Sequence, residues 1–381
     1  MPFRFTLKLI VGFAGITLLI PGVLRFGVLP YYDLSNNAVL ASGPYTVSNK
    51  TMAIHNSAFV ADLHADSLLW KRDLTERHQR GHVDLPRLKE GGVDLQVFSV
   101  VTKVPYSSNY HSNPSDSDNL PILFLGSLRN PMSWFDPMER ALVQARELKQ
   151  AARDSSLSIV LKKEDLSADG IKGLLALEGM HALGGDEQAL NELHAAGFRM
   201  MGLAHFFDNE VAGSAHGVAK SGLTELGRVL VPKMEALGMT IDLAHASSAA
   251  IENTLDLATK PVVVSHGGVQ GACPGARNLT DEQLRRVAMN DGVVGIGFWK
   301  GAVCDASVEG IVAAILYAIE IAGIDHVGLG SDFDGHVATP FDVTGLPMLT
   351  EALLLAGLSG EEVGLVLGGN VLRVLEGNLP E

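Results

Sequence analysis

Cysteine and positive charge are both scarce in this chain, and each shortage excludes a class of protein. Only two cysteines, Cys273 and Cys304, occur in 381 residues, which is too few for a disulfide framework and is not the spacing of zinc-ribbon ligands. Lysine and arginine number 29 against 43 acidic residues, a formal net charge of -14. This balance argues against nucleic acid or an anionic lipid surface as the main partner. A small cationic or zwitterionic ligand is compatible with it.

The N-terminus carries a long apolar run, Leu7–Leu29, with Arg4 and Lys8 at its start. This pattern predicts an export signal or a membrane anchor. No cysteine follows, which excludes lipoprotein processing, and the one small-residue cleavage candidate, near Ala41, lies far beyond the apolar core. We therefore favour an uncleaved anchor through residues 7–29 over a removed signal peptide. The basic flank would leave the rest of the protein on the non-cytoplasmic side, periplasmic or extracellular. A buried helix packed on the domain is disfavoured, because the run has no polar face at helical spacing.

The recurrent feature of the chain is an apolar run that stops at a histidine or a carboxylate. The first run, Phe59–Leu63, is followed by His64 and Asp66. Because successive side chains of a strand alternate in direction, these two groups would point the same way. Such a pair alone is a weak signal, but five further runs end at Glu178, His205, His245, His266 and Asp332. In a parallel barrel the C-terminal ends of all strands lie at one end, the mouth of the barrel, so these six strand ends would lie together there.

Strand and helix patterns alternate eight times along the chain, which predicts an α/β fold of the (β/α)8, TIM-barrel type. Amphipathic patterns at 223–237 and 281–289 predict helices between strands. A barrel of this type takes about 250 residues or more. We therefore expect one large domain, 58–381, after an anchor segment, 1–30, and a tether, 31–57. The predicted strands are 59–63, 93–100, 171–177, 198–204, 239–244, 261–265, 292–298 and 326–331.

One long excursion interrupts the alternation after the second strand. Residues 102–119 are rich in Ser, Asn, Asp and Pro, and residues 120–135 are more apolar. Such an excursion at the C-terminal end of a barrel strand lies over the active site. We expect a partly ordered cover. His78 and His82, which lie between the first and second strands, are expected to be surface residues. A lid or a membrane contact is the sharper alternative, through Leu123, Phe124, Leu125, Trp134 and Phe135.

Four histidines and three carboxylates at one mouth suit two divalent cations bridged by a carboxylate and a hydroxide. Imidazole with carboxylate favours zinc and similar metals. Each residue also has a structural alternative: His205 and His245 as hydrogen-bonded core histidines, Glu178 as a partner of a helix N-cap, and Asp332 as a turn former. These alternatives would have to explain six separate coincidences at strand ends, so we favour the shared metal site.

The chain resembles the membrane (renal-type) dipeptidase family, a dinuclear-zinc branch of the amidohydrolase superfamily, over residues 59–375. The resemblance rests on stretches that occur in the family's order. They are His64-Ala65-Asp66, 82–96, Glu178-Gly179, Leu203-Ala204-His205 with Asn209, 222–224 with Gly227, 238–245, Ser265-His266, Arg277-Asn278, 328–335, and 368–370 with Arg373.

The resemblance implies a role for each candidate site residue. His64 and Asp66 would bind one zinc ion and His245 and His266 the other, with Glu178 as the bridge. Asp332 would be the acid/base residue, His205 the histidine that polarises the substrate, and Arg277 the clamp for the substrate's C-terminal carboxylate. The last role agrees with the paired hydrogen bonds that a guanidinium makes to a carboxylate.

The chain also departs from the family pattern. Ala244 stands where the family usually has a serine before its metal histidine, and residues 102–135 have no counterpart that we can place. Vertebrate members have a disulfide that matches Cys273 and Cys304, and an exported protein could form it.

The implied function is hydrolysis of dipeptides by a hydroxide that bridges two Zn2+ ions, with a D-residue tolerated at the C-terminal position. The expected partners are a small dipeptide substrate and the membrane through residues 7–29, with no nucleic acid; a homodimer is left open. Two alternatives stay open: another amidohydrolase reaction, on a lactam or an N-acyl amino acid, and an inactive metal-holding surface protein. The latter would bind a partner through residues 102–135. Glu178 and Asp332 together speak against it, because a dead site needs no proton carrier.

Overall fold

The computed structural model describes residues 22–381. Most of the predicted membrane anchor, residues 1–21, therefore lies outside the described residues. The rest of it is helical: Leu24–Val28 form a π-helical turn that runs into helix α1, Leu29–Asn36. Within residues 22–381, every helix is too short or too polar to cross a bilayer.

Eight parallel strands close into a barrel, which confirms the predicted fold class. The strand order is β2-β1-β9-β8-β7-β6-β5-β4, and pairing of β2 with β4 closes the ring. A short strand that the sequence did not reveal, β3, pairs with the first two residues of β4. The strands are β1 Ala61–Ala65, β2 Leu95–Val101, β3 Ser158–Ile159, β4 Lys172–Glu178, β5 Phe198–Gly202, β6 Thr240–Asp242, β7 Val263–Gly267, β8 Val293–Ile296 and β9 Val327–Leu329.

Helices cover the outside of the barrel, and several of them begin at capping residues. The two helices predicted by periodicity both form, and each starts after a threonine whose hydroxyl accepts a hydrogen bond from the first turn. Such a cap satisfies a backbone N–H that would otherwise lack a partner. Besides α1, the helices are α2 Asn49–Ser57, α3 Leu85–Glu90, α4 Leu120–Gly126, α5 Pro137–Arg153, α6 Ala189–Ala195, α7 Glu225–Ala236, α8 Ser248–Leu257, α9 Asp281–Met289, α10 Lys300–Val303, α11 Val308–Ala322, α12 Leu346–Leu355, α13 Gly360–Gly364 and α14 Asn370–Asn378.

The predicted tether, 31–57, contains most of α1 and all of α2, and both helices pack on the barrel domain. His55 of α2 is buried, with Nδ1 2.7 Å from the Thr350 hydroxyl and Nε2 2.9 Å from the Gly91 carbonyl oxygen. Asp33 of α1 is also buried and accepts a hydrogen bond from Arg80 Nε at 2.8 Å. The division of the chain into anchor, tether and barrel stays a prediction.

The excursion of residues 102–135 contacts the barrel domain through Thr102, Phe124 and Arg129, and its partial order stays a prediction. The fully buried Arg140 of α5 donates to the Thr102 carbonyl at 2.7 Å. Arg129 donates to the Leu69 carbonyl at 3.0 Å and pairs with Glu147 at 2.8 Å. Both guanidinium groups lie against the ring of Phe124, at 4.5 and 5.5 Å from its centre. Since buried cations must be paired, these contacts hold the excursion at the ends of β1 and β2.

Candidate metal centre

All seven predicted site residues outside the carboxylate clamp meet at the C-terminal mouth of the barrel. Each follows or ends a different parallel strand, with the exception of His64 and Asp66, which share β1. The strands that supply the others are β4 for Glu178, β5 for His205, β6 for His245, β7 for His266 and β9 for Asp332.

Two of these residues, His245 and Asp332, have left-handed backbones, each with a φ of 61°. Non-glycine residues rarely adopt this conformation, and it recurs at functional sites where the surrounding structure enforces it. Both lie three residues beyond the last residue of their strand. The left-handed conformation therefore changes the direction of the chain at the residue whose side chain joins the cluster.

Glu178 lies at the middle of the cluster. Its Oε1 is 3.1 Å from His245 Nε2, 3.5 Å from His266 Nε2 and 3.8 Å from His64 Nε2. Its Oε2 is 3.3 Å from His205 Nε2. A carboxylate with imidazole nitrogens on both sides is placed to be shared between two cations.

The other two carboxylates stand beside His64. Asp66 Oδ1 is 3.5 Å and Asp332 Oδ1 is 4.0 Å from His64 Nε2. Three groups keep one ligand atom per residue within 4.8 Å of each other: His64 with Asp66 and Glu178, His64 with His266 and Asp332, and Glu178 with His205 and His245. Geometry alone therefore allows His205 and Asp332 to be ligands as well.

The atoms of this cluster fit metal ions on three counts. His64 Nε2 and Asp66 Oδ1 are buried without a hydrogen-bond partner among the described residues, a costly state that a cation would relieve. His245 Nε2 and His266 Nε2 face each other at 3.0 Å, as two ligands of one ion do. Imidazole nitrogens with carboxylate oxygens are the donor set of zinc and similar metals.

The electrostatics of the site point the same way. Burial lowers the pKa of His205, His245 and His266 well below the usual value, so these rings are neutral and their lone pairs are free to coordinate. Burial raises the pKa of Asp332 to about 8 and that of Glu178 well above its usual range.

The pKa of His64 indicates a surplus of negative charge in the cluster. Burial lowers its pKa, but the carboxylates of Asp66, Glu178 and Asp332 outweigh burial and raise that pKa to about 10. Among protein groups alone, the cluster thus attracts a proton because buried negative charge exceeds positive charge. Divalent cations would supply the missing charge.

Two buried carboxylates behind the cluster were not singled out from the sequence. Asp242 of β6 accepts hydrogen bonds from the Ser265 hydroxyl at 2.6 Å and from the Ser265 backbone N–H at 2.8 Å. The Ser265 hydroxyl lies 2.9 Å from His266 Nδ1 and 3.3 Å from His64 Nδ1. Asp242 and Ser265 therefore orient one ring from each predicted metal pair, a contact that typically raises ligand basicity.

Asp62 plays a similar part for the segment after β9. Its carboxylate accepts hydrogen bonds from the Ser331 N–H at 2.8 Å, the Ser331 hydroxyl at 2.7 Å and the Gln96 amide at 2.8 Å. These bonds fix the residue that precedes Asp332. A carboxylate inside an apolar strand was the sequence signal that could have identified Asp62. Burying such a group costs free energy unless hydrogen-bond donors surround it.

The expectation that His82 is a surface residue is wrong. Its side chain is fully buried, and its Nδ1 accepts the backbone N–H of Asp334 at 2.9 Å. Asp334 is itself buried and ion-paired with Arg72. His82 is therefore a structural support below the β9 turn, a role that depends on partners distant in sequence.

Arg277 lies apart from the cluster, on the segment that follows β7. The side chain is buried, and Nη2 donates to the His266 carbonyl at 2.7 Å. Its buried Nε has no hydrogen-bond partner among the described residues. A disulfide between Cys273 and Cys304 closes the segment that carries Arg277; the sequence had left this bridge open. The guanidinium is thus held in place with donors left for a ligand.

A cavity of about 680 Å³ joins the metal cluster to Arg277. This volume is within the range of small-molecule sites in proteins. Its lining includes Glu178, His205, His245, Asp332 and Arg277. A small ligand can therefore contact the cluster and the guanidinium at once.

Comparison with known proteins identifies relatives of this chain. The family model described as "Membrane dipeptidase (Peptidase family M19)" matches residues 48–378. The chain is 32% identical over 352 residues to "Dipeptidase aclJ" of Aspergillus oryzae, covering 88% of this chain and 78% of that protein. It is 32% identical over 305 residues to "Dipeptidase tcpJ" of Claviceps purpurea, covering 77% and 69% respectively. A solved metallo peptidase from Rhodobacter sphaeroides, "liganded with phosphinate mimic of dipeptide L-Ala-D-Ala", superimposes with a TM-score of 0.70 at 27% identity, covering 84% of this chain and 99% of that one.

Proposed function

This chain belongs to the membrane dipeptidase family, peptidase family M19, and is a metal-dependent dipeptidase. From this premise we propose which of its residues bind the metal ions, which bind the substrate and which transfer protons. His64 and Asp66 would hold one zinc ion and His245 and His266 a second, and Glu178 would be shared between the two sites. The support is the short distances from Glu178 to three imidazoles, together with the buried His64 Nε2 and Asp66 Oδ1, which have no hydrogen-bond partner within residues 22–381.

When bound, the two cations would supply Lewis acidity and a water molecule of lowered pKa. The residues of the chain position the substrate for that chemistry. Arg277 binds the C-terminal carboxylate of the dipeptide through its free N–H groups, which places the scissile amide over the cluster. A guanidinium suits this task because its fork matches the two oxygens of a carboxylate.

His205 and Asp332 act on the reacting atoms. His205 is buried and neutral, so its ring can donate an N–H to the carbonyl oxygen as negative charge develops there. Asp332 lines the same cavity and, in its ionised form, would take a proton from the attacking water and pass it to the leaving amine. Asp242 and Asp62 hold the rings and the β9 turn in place while this happens.

The observation that carries this proposal is the convergence of seven strand-end groups beside a buried, incompletely bonded arginine. The test is a dipeptide library assayed with the purified full chain, before and after removal of metal by a chelator and after return of zinc. Turnover that survives complete metal removal would exclude the mechanism.

The membrane setting is part of the same proposal. The apolar run 7–29 would anchor the protein through the part that precedes Arg25, because Arg25 and Leu29 contact the barrel domain. The catalytic domain would then lie on the non-cytoplasmic side. The support is the apolar run with its basic flank and the disulfide, which persists in oxidising compartments. Fractionation of cells with and without carbonate washing tests the anchor. A homodimer stays a prediction, which mass measurement in detergent would test.

A further inference from the structure

The cavity has two unlike ends. One end is polar and holds Arg277, with the Trp299 ring 5.7 Å from its guanidinium. The other end is lined by apolar side chains that follow β1 and β2 or lie on α1 and α4. We name this end the apolar chamber and define it by Leu29, Tyr32, Leu69, Trp70, Val104 and Leu123.

The barrel order places these ends on opposite sides of the metal cluster. Arg277 follows β7, whereas Leu69 and Trp70 follow β1 and Val104 follows β2. In the closed ring β2-β1-β9-β8-β7-β6-β5-β4, β7 stands across the barrel from the β1–β2 pair. A substrate held at Arg277 and reacting at the cluster therefore extends toward the chamber.

The walls of the apolar chamber are supported by a separate cluster of buried apolar side chains. Leu69, Trp70 and Leu123 belong to a buried cluster separate from the main cores of the barrel, and Leu29 and Val104 pack against it. The indole N–H of Trp70 is satisfied by the Asp334 carbonyl at 2.6 Å, so the ring offers the cavity only apolar surface.

Two segments that carry none of the stretches on which the family resemblance rests supply much of the chamber. Leu29 and Tyr32 precede residue 48, where the family match begins, and Leu123 lies on α4, within the excursion that has no placed counterpart. The segments pack directly on each other: a Cβ on Gly126 would lie 2.9 Å from Leu29 Cδ1, and Arg25 donates to the Ser127 carbonyl at 3.0 Å.

We propose that the apolar chamber binds a large apolar group on the acyl side of the scissile amide. The inference rests on the proposed function, because Arg277 must hold the other end of the substrate. The preferred substrates are then dipeptides with a bulky aliphatic or aromatic N-terminal residue, or amino acids acylated by an apolar chain. Both carry the same apolar group next to the amide carbonyl.

The first test is a size series on the zinc-loaded full chain: glycyl-, alanyl-, leucyl- and phenylalanyl-alanine. Burial of a whole apolar side chain predicts a rise in kcat/KM of about 10- to 100-fold from the glycyl to the phenylalanyl substrate. A flat or falling series with clear turnover would overturn the chamber alone. No turnover of any member, with two zinc ions bound, would overturn the proposed function and the chamber with it.

A matched substrate separates the two sources of the apolar group. N-(3-phenylpropanoyl)-alanine carries the same ring as phenylalanyl-alanine without the amino group. Turnover of the dipeptide alone assigns the chamber to N-terminal side chains, and comparable turnover of both extends it to acyl amino acids. Either result supports the chamber when the size series rises.

Two tyrosine variants test whether the residues that line the apolar chamber determine the preference for a large apolar group. Tyr32 lines the chamber and is 42% exposed, whereas its neighbour Tyr31 is 73% exposed and outside the lining. We expect Tyr32→Ala to reduce the phenylalanyl-to-glycyl ratio of kcat/KM about 3- to 10-fold, and Tyr31→Ala to leave it within about twofold.

A second pair of variants narrows the chamber. Val104→Phe should reduce the same ratio by filling the space, whereas Val229→Phe, on the exposed face of α7, should not. Unchanged ratios in both Tyr32→Ala and Val104→Phe, measured on folded protein with full metal content, would overturn the proposal.

Discussion

Replacement of Arg277 by lysine separates substrate positioning from metal chemistry. The guanidinium already donates to the His266 carbonyl, and its buried Nε is free of partners among the described residues. A lysine has one nitrogen on a flexible stem, so it cannot keep the backbone bond and present a two-pronged donor to a carboxylate.

The expected loss follows from the bonds that lysine cannot make. A hydrogen bond between charged groups contributes about 1.5–3 kcal/mol, and about 1.4 kcal/mol corresponds to tenfold. Loss of one such bond to the substrate carboxylate, with poorer alignment of the other, predicts a fall in kcat/KM of roughly 30- to 150-fold for free dipeptides. The same dipeptides with an amidated C-terminus lack the partner of this bond and should lose about threefold or less.

The assay compares kcat/KM for each dipeptide and its amide in the wild type and in Arg277→Lys. Arg285→Lys, a change on the exposed surface of α9, is the matched control. Metal content and melting temperature are measured on each sample, so that a folding defect is recognised. Equal losses on free and amidated substrates would refute the role of Arg277 as the carboxylate clamp.

Four further outcomes are expected. Asp332→Asn should keep two metals and lower kcat by at least about 10²-fold, because an amide cannot shuttle a proton; wild-type kcat in a metal-replete mutant would show another proton route. His205→Gln should also retain two metals while kcat falls, and loss of an ion would make His205 a ligand instead. Asp242→Asn should weaken metal affinity about 10- to 100-fold in competition with a chelator, whereas unchanged affinity would confine Asp242 to folding. Chelation should lower the melting temperature, because Glu178 and its neighbours lose their counter-charge; an unchanged value would argue against structural occupancy.

The barrel and the convergence of the candidate metal ligands at its mouth were predictable because both depend on local pattern. An apolar run such as Phe59–Leu63 is read directly from the sequence, and the residue at its end then follows from strand geometry. The strands begin about two residues later at β1 and β2 than the apolar runs do, since apolar residues also cover the barrel floor before pairing begins.

Features that depend on distant partners were not predictable in the same way. His82 looked exposed because its neighbours are polar, yet it is buried against Asp334, 252 residues away. The contacts between residues 102–135 and the barrel domain depend partly on bonds from Arg129 and Arg140 to the carbonyls of Leu69 and Thr102, and no side-chain pattern marks a backbone carbonyl as a partner. The apolar chamber forms because α1 packs against α4. The sequence of neither helix alone predicts this contact.

The central claim is that two metal ions held by this cluster hydrolyse a dipeptide positioned by Arg277. Its most direct test is elemental analysis and turnover of a dipeptide on one preparation of the full chain, titrated with zinc after complete removal of metal. The account predicts that activity reaches its maximum at about two ions per chain, as a bridged pair requires. Full activity with one ion per chain, or with none, would contradict it.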